Sequence, residues 1–354
     1  MSNNPSLRPA AADLAMSLCK RIQVASSSLL AVMLLVTAVQ GAERPYGGAP
    51  DPEKVVGVDT CAKCHTDEVR VWRQTPHSLT FDRLHRSAEA KQIAKRLGLR
   101  SVKRNDACTN CHYTSTLKGS KPRVVAGVTC ESCHGGAKDW VDKHYDYGGP
   151  NVTAQSETPE HRQQRIQTSI DNGMNNPNNI YLIARQCLAC HSTPSEQIVN
   201  VGGHVPGSLD FNLVSWSQGI VRHNFRRSGN NTNVFSSPER LRVMYLVGMM
   251  ADLEASLRAV SKATADSTYA RSAAGRAARA KGKLWEAQRI LKHPILGQAL
   301  NAVASIELTL DNGAELEKAA KQVGEVALRF SSSENGASLA AIDSMLPPRS
   351  AYKN

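Results

Sequence analysis

Four times the chain repeats two cysteines separated by two residues and followed at once by histidine: CAKCH (61–65), CTNCH (108–112), CESCH (130–134) and CLACH (187–191). With Cys19, these motifs account for all nine cysteines. Three chemistries use such pairs. A disulfide framework suits an exported chain, but gives no reason for a histidine behind every second cysteine. Zinc ribbons use paired knuckles, and four pairs would bind two ions, yet the histidines again stand idle. Covalent attachment of c-type heme uses every residue. The thiols of Cys61, Cys64, Cys108, Cys111, Cys130, Cys133, Cys187 and Cys190 add across the vinyl groups, and His65, His112, His134 and His191 bind iron as proximal ligands. Four covalently attached c-type hemes are therefore the expected cofactors.

Four porphyrins would also supply apolar bulk, which fits an aromatic content of only 5%. They alter the charge balance as well. The formal charge is +12. Each heme brings two propionates, so four remove about eight charges if all are ionised. The basic sequence is then no argument for nucleic-acid binding.

Near the N-terminus, Lys20 and Arg21 precede an apolar run, 24–39, and small residues follow. Basic flank, short apolar stretch and small-residue cut make residues 1–41 a signal peptide, with Cys19 inside it. The run contains Ser26, Ser27 and Ser28 and falls short of the roughly 20 apolar residues a spanning helix needs, which argues against an uncleaved anchor. No later stretch is long and apolar enough to span. The expected location is the periplasm.

Seven histidines remain as distal candidates: His77, His85, His144, His161, His204, His223 and His293. A second axial histidine suits an iron to electron transfer, whereas an open side admits a small ligand. CAKCHTDEVRVWRQTPHSLTFDRL (61–84), CTNCH, GVTCESCHGGAKDWVDKH (127–144), RQCLACH (185–191) and FNLVSWSQGIVRHNF (211–225) together resemble the tetraheme cytochrome c-554 family, whose founding member carries electrons away from hydroxylamine oxidation. The resemblance covers roughly residues 52 to 230 and includes motif order and the spacings to His77 and His144. It implies that His77 ligates heme 3, His144 heme 1 and His223 heme 4, and that heme 2 is five-coordinate. His204, in GGHVPG, departs from that pattern. It stands as a sixth ligand of heme 2, as a distal acid/base over an open iron and the one catalytic candidate, or as a loop residue without a role. His85, His161 and His293 lie in charged, helical surroundings and read as surface or packing residues.

The expected fold is mainly α with little sheet. A heme-organised domain (52–235) is followed by a helical hairpin or bundle (236–332) and a flexible tail (333–354). KGSKPRVVAGV (118–128) and TPSEQIVNVGGHVPG (193–207) read as loops, and 87–99 and 158–170 as helices. Beyond 236 cysteine disappears. Ser237 and Pro238 start a helix whose apolar positions recur at Leu241, Tyr245, Met249, Leu253 and Leu257. Further helices are expected over 267–291 and from 311–313 to about Phe330. The basic run 271–292 reads as a solvated face, or as a dock for an acidic partner. The expected function is electron transfer through largely bis-histidine hemes with redox proteins as partners. The alternatives are a heme enzyme acting on nitric oxide, nitrite or hydroxylamine at an open heme 2, and a subunit of a larger redox complex or a dimer joined through 236–332.

Overall fold

The computed structural model describes residue 1, residues 47–193 and residues 195–353. The expected signal peptide, Met1 aside, and Cys19 lie outside the described residues. The motif-bearing half is a string of short helices: α1 (Val58–Ala62), α2 (Thr66–Trp72), α3 (Pro76–Arg83), α4 (Ala88–Arg96), α5 (Asp106–His112), α6 (Cys130–His134), α7 (Pro159–Asp171), α8 (Ile180–His191), α9 (Glu196–Asn200) and α10 (Leu213–Ser217). Side chains start them where the sequence offers caps: Thr75, Ser87, Asn105, Thr158, Asn179 and Asn212 each accept a backbone N–H of the first turn.

The segment read as the loop 118–128 is instead largely one arm of a hairpin. β1 (Thr114–Lys118) pairs antiparallel with β2 (Lys121–Ala126) around Gly119, whose φ is 64°. The β-branched Thr114, Thr116, Val124 and Val125 favour strand on both arms, and the turn glycine takes the left-handed conformation at little cost. The same chemistry runs into the third motif, because Gly127 lies directly over α3. A side chain there would collide with the backbone oxygens of His77 and Ser78, and Val128 N donates to His77 O at 3.0 Å.

Little apolar side-chain burial supports this half. Between residues 47 and 179 the buried hydrophobics are Val69, Ala94, Val102, Tyr113, Ala137 and Trp140. The main core lies further along. It joins α8 to α11 (Pro238–Ser261), α12 (Thr268–Leu291), α13 (Pro294–Asn301) and α14 (Gly313–Ser333). Ser237 caps α11 and Ser267 caps α12, as their sequences indicate. α11 is apolar nearly all round and is buried nearly all round, packed by α8, α12 and α14. Residues Tyr46–Asn354 form one compact unit, so a continuous core crosses the boundary drawn at 235/236.

The tail expected to be flexible is docked. Ala337–Met345 winds as a 3₁₀ helix with Leu339 and Ile342 buried, and Arg242 grips Asp343 through Nε at 2.6 Å and Nη2 at 2.8 Å. Its end returns to α10 and the loop after it: Lys353 N donates to Ser215 O at 3.0 Å and Ile220 N to Lys353 O at 2.7 Å. Serine, glycine and two prolines disguise this segment as linker, while its two buried aliphatic residues hold it. Among the described residues, no helix is long and apolar enough to cross a membrane.

Candidate functional site

The fold brings eight of the eleven histidines together as four pairs, one motif histidine in each. His65 faces His144, His77 faces His191, His112 faces His204 and His134 faces His223, and every pair has its ring centroids 6.2 Å apart. Imidazole nitrogens bond metals at about 2 Å, so two rings sharing one ion, with their own radii, stand about 6 Å apart. The other three histidines do other work. His161 Nδ1 meets Glu157 Oε1 at 2.7 Å, His293 Nε2 meets Glu334 Oε1 at 3.0 Å, and His85 packs with a buried, unpartnered Nδ1.

Two features fit the pairs to iron. The first is the tautomer. Nδ1 of His144 meets Val141 O at 2.5 Å, that of His204 meets Val205 O at 2.7 Å and that of His223 meets Val221 O at 2.7 Å. Nδ1 of His134 meets Asn175 O at 3.4 Å and that of His191 meets Ser208 Oγ at 2.9 Å. A carbonyl can only accept, so the proton sits on Nδ1 of the four histidines facing one, leaving Nε2 a free lone pair. The second feature is burial. It pushes His112, His134 and His191 down to about 4, so these imidazoles are neutral at neutral pH. Among the described residues, no group of three or more His, Cys, Asp or Glu is arranged to hold a metal ion. Two ligands from the chain and no third match a macrocycle that brings its own four nitrogens, and do not match a zinc ribbon.

The cysteines complete the fit. None of the eight in the motifs forms a disulfide among the described residues. Cys61 lies beside Cys130, and Cys111 beside Cys190. Cys133 lies near enough to Cys187 and Cys190 for its charge to raise both. The four sites therefore follow one another in space in the order first, third, fourth, second.

This geometry corrects the pairing implied by the resemblance. His144 does serve the first motif, but His77 stands against His191 of the fourth rather than the third, and His223 against His134 of the third rather than the fourth. His204, left open between three roles, faces His112, so the second motif has a partner like the others.

Residues other than the motif cysteines and histidines brace the pairs. Glu131, inside CESCH and 2% exposed, accepts three backbone amides: Val56 N and Ala137 N on Oε1 and Gly57 N on Oε2, each at 2.9 Å. It thereby ties the approach to the first motif onto the third. Arg165 donates from Nη1 to His144 O at 2.6 Å, and both oxygens of Glu157 hold its fork at 2.7 and 2.6 Å. That hydrogen bond to Arg165 keeps the Glu157 carboxyl down at about 2. Trp72 Nε1 donates to Val128 O at 2.7 Å, and Phe211 and Trp216 enclose the His191 ring. Sequence reading missed all of these. The one available signal was Glu131, a carboxylate inside an attachment motif. The basic run 271–292 is not one solvated face: Arg276 is buried and Lys281 Nζ donates to Val303 O at 2.6 Å.

Comparison with known proteins bears on the motif-bearing part of the chain. The family "Cytochrome c554 and c-prime" matches residues 60–135, a span that holds three of the four motifs. Cytochrome c-554 of Nitrosomonas europaea is 25% identical over 182 residues, covering 48% of this chain and 68% of that protein. No solved structure matches. With the motif chemistry and the histidine pairs already in hand, these matches show a chain similar to the c-554 cytochromes and support a c-type cytochrome, a class that binds its heme covalently.

Proposed function

We propose that this protein is a tetraheme electron carrier of the periplasm, in which all four irons are held between two histidines. Each heme, when bound, supplies an iron that accepts and returns one electron. The chain does the rest. His65 and His144, His112 and His204, His134 and His223, and His191 and His77 would each hold one iron, and the eight motif cysteines would attach the hemes covalently. Carbonyl acceptors behind four of the imidazoles fix their orientation, so the ligands need not rearrange when charge arrives or leaves. Neighbouring thiols run in one sequence from the first motif to the second, which supports passage of electrons through the molecule to redox proteins docking at either end.

The observation that carries this reading is the His112–His204 pair at 6.2 Å. A partner on the second site removes the open face that chemistry on a small nitrogen species would need. The test is stoichiometry with ligation. Pyridine hemochrome and intact mass of the exported protein should give four hemes per chain, and the reduced protein should leave carbon monoxide unbound. Fewer hemes, or carbon monoxide binding at one of them, would overturn the reading.

A further inference from the structure

Arg276 lies in α12, outside the segment that the family matches, and is 3% exposed. Ala273, Ala277 and Ala280 line the buried side of the same helix and let it approach α11 closely. The guanidinium reaches the fourth motif. Its Nη1 donates to His191 O at 3.0 Å, its Nε donates to Asp252 Oδ1, and its Nη2 is buried without a hydrogen-bond partner. Asp252, on α11, is buried too, and its Oδ1 accepts Ser256 Oγ at 3.4 Å. Arg165 makes the comparison: two carboxylate oxygens bind its fork, whereas one binds that of Arg276. The remaining groups around His191 do not offset the cation. Ser208, Phe211 and Trp216 are neutral, and Asp210 is exposed and paired with Lys353 at 2.6 Å. Buried charge is weakly screened, so the field of Arg276 persists at the ligand.

We propose that Arg276 is a positioning residue for the fourth heme site, holding the His191 backbone and raising the reduction potential of the iron that His191 and His77 share. The inference rests on the four-heme reading. Uptake of one electron by that iron lowers its charge by one and moves no bond or proton. A fixed cation nearby therefore favours the reduced form, and its carboxylate partner opposes it. In this way a helix of the C-terminal half tunes one carrier among four.

The test is an optical potentiometric titration of the holoprotein, after the heme count has been measured. In Arg276→Gln, one transition should show a reduced-to-oxidised ratio at fixed potential about tenfold lower, equivalent to about 59 mV for a one-electron couple. Asp252→Asn should move the same transition the opposite way, and Arg276→Lys should stay near the parent. Unmoved transitions would overturn the proposal, as would Gln and Asn variants shifting in the same direction, which marks a merely structural pair. Should Arg276→Gln fail to fold, the direction of the Asp252→Asn shift decides alone. A parent protein with fewer than four hemes would instead fail the underlying reading, and this inference with it.

Discussion

At the scale of residues, what stands behind Nδ1 orients a ring but does not mark a ligand. A carbonyl or hydroxyl stands there in five of the paired rings, yet a carboxylate stands behind paired His65, with Glu68 Oε1 at 3.6 Å, as one does behind unpaired His161. The family resemblance singled out His77, His144 and His223, the first two by their spacing, but a resemblance in sequence says only that a histidine can reach a site, not which site. That choice depends on how the segment between folds back, so two partners were exchanged and His204 stayed open. His204→Ala should uncover the second site alone. The oxidised variant should gain one high-spin iron in four and bind nitric oxide, while three low-spin signals persist. A spectrum unchanged from the parent would remove His204 from the ligand set. Behind His144, Glu157 is ionised down to about 2 against an ordinary carboxyl near 4.3. A folded-state value below the unfolded one gives stability that is complete above the unfolded value and is lost as pH falls towards the folded one. Support for His144 through Arg165 should thus hold at pH 5 and fade between about 4.3 and 2. Glu157→Gln should lower the melting temperature at pH 7, and the gap from the parent should shrink as acid titrates that window, which differential scanning calorimetry at a series of pH values measures.

At the scale of elements, caps and periodicity made the long helices legible. Ser237 and Ser267 begin α11 and α12 where the sequence says, α4 falls within the stretch read as helical, and α7 matches its stretch to within one residue. The hairpin and the tail were not legible, for a shared reason. Both carry the glycine, serine and proline of loops, and only their contacts reveal order. The tail has a concrete consequence. Phe235 is sandwiched between Arg222 and Arg349, at 3.6 and 4.5 Å from the ring centre, and Lys353 pairs by backbone with the loop that presents His223. Removing residues 337–354 exposes the sites of Leu339 and Ile342 and should cost about 3–6 kcal/mol, at about 1.5–3 for each buried aliphatic side chain. It should also loosen His223, so the third site alone turns partly high-spin. Denaturant unfolding followed together with the electronic spectrum checks both.

At the scale of the whole molecule, the two halves are stabilised differently. From 180 onward, helices bury a continuous aliphatic core, whereas the motif-bearing half buries few apolar side chains. The composition hinted at this through its few aromatic residues, but only the distribution of burial shows where the deficit lies. Covalent heme is the natural filling. The chain produced in cells that lack the attachment machinery should therefore lose the first half's structure and keep helical signal from α11 to α14. Limited proteolysis should cut it before residue 180, while the holoprotein resists. The central claim, that all four irons are closed by the four histidine pairs, is tested most directly by low-temperature EPR of the oxidised protein with and without nitric oxide. Low-spin ferric signals alone, indifferent to nitric oxide, are the expected result. A high-spin ferric signal that responds to nitric oxide would contradict it.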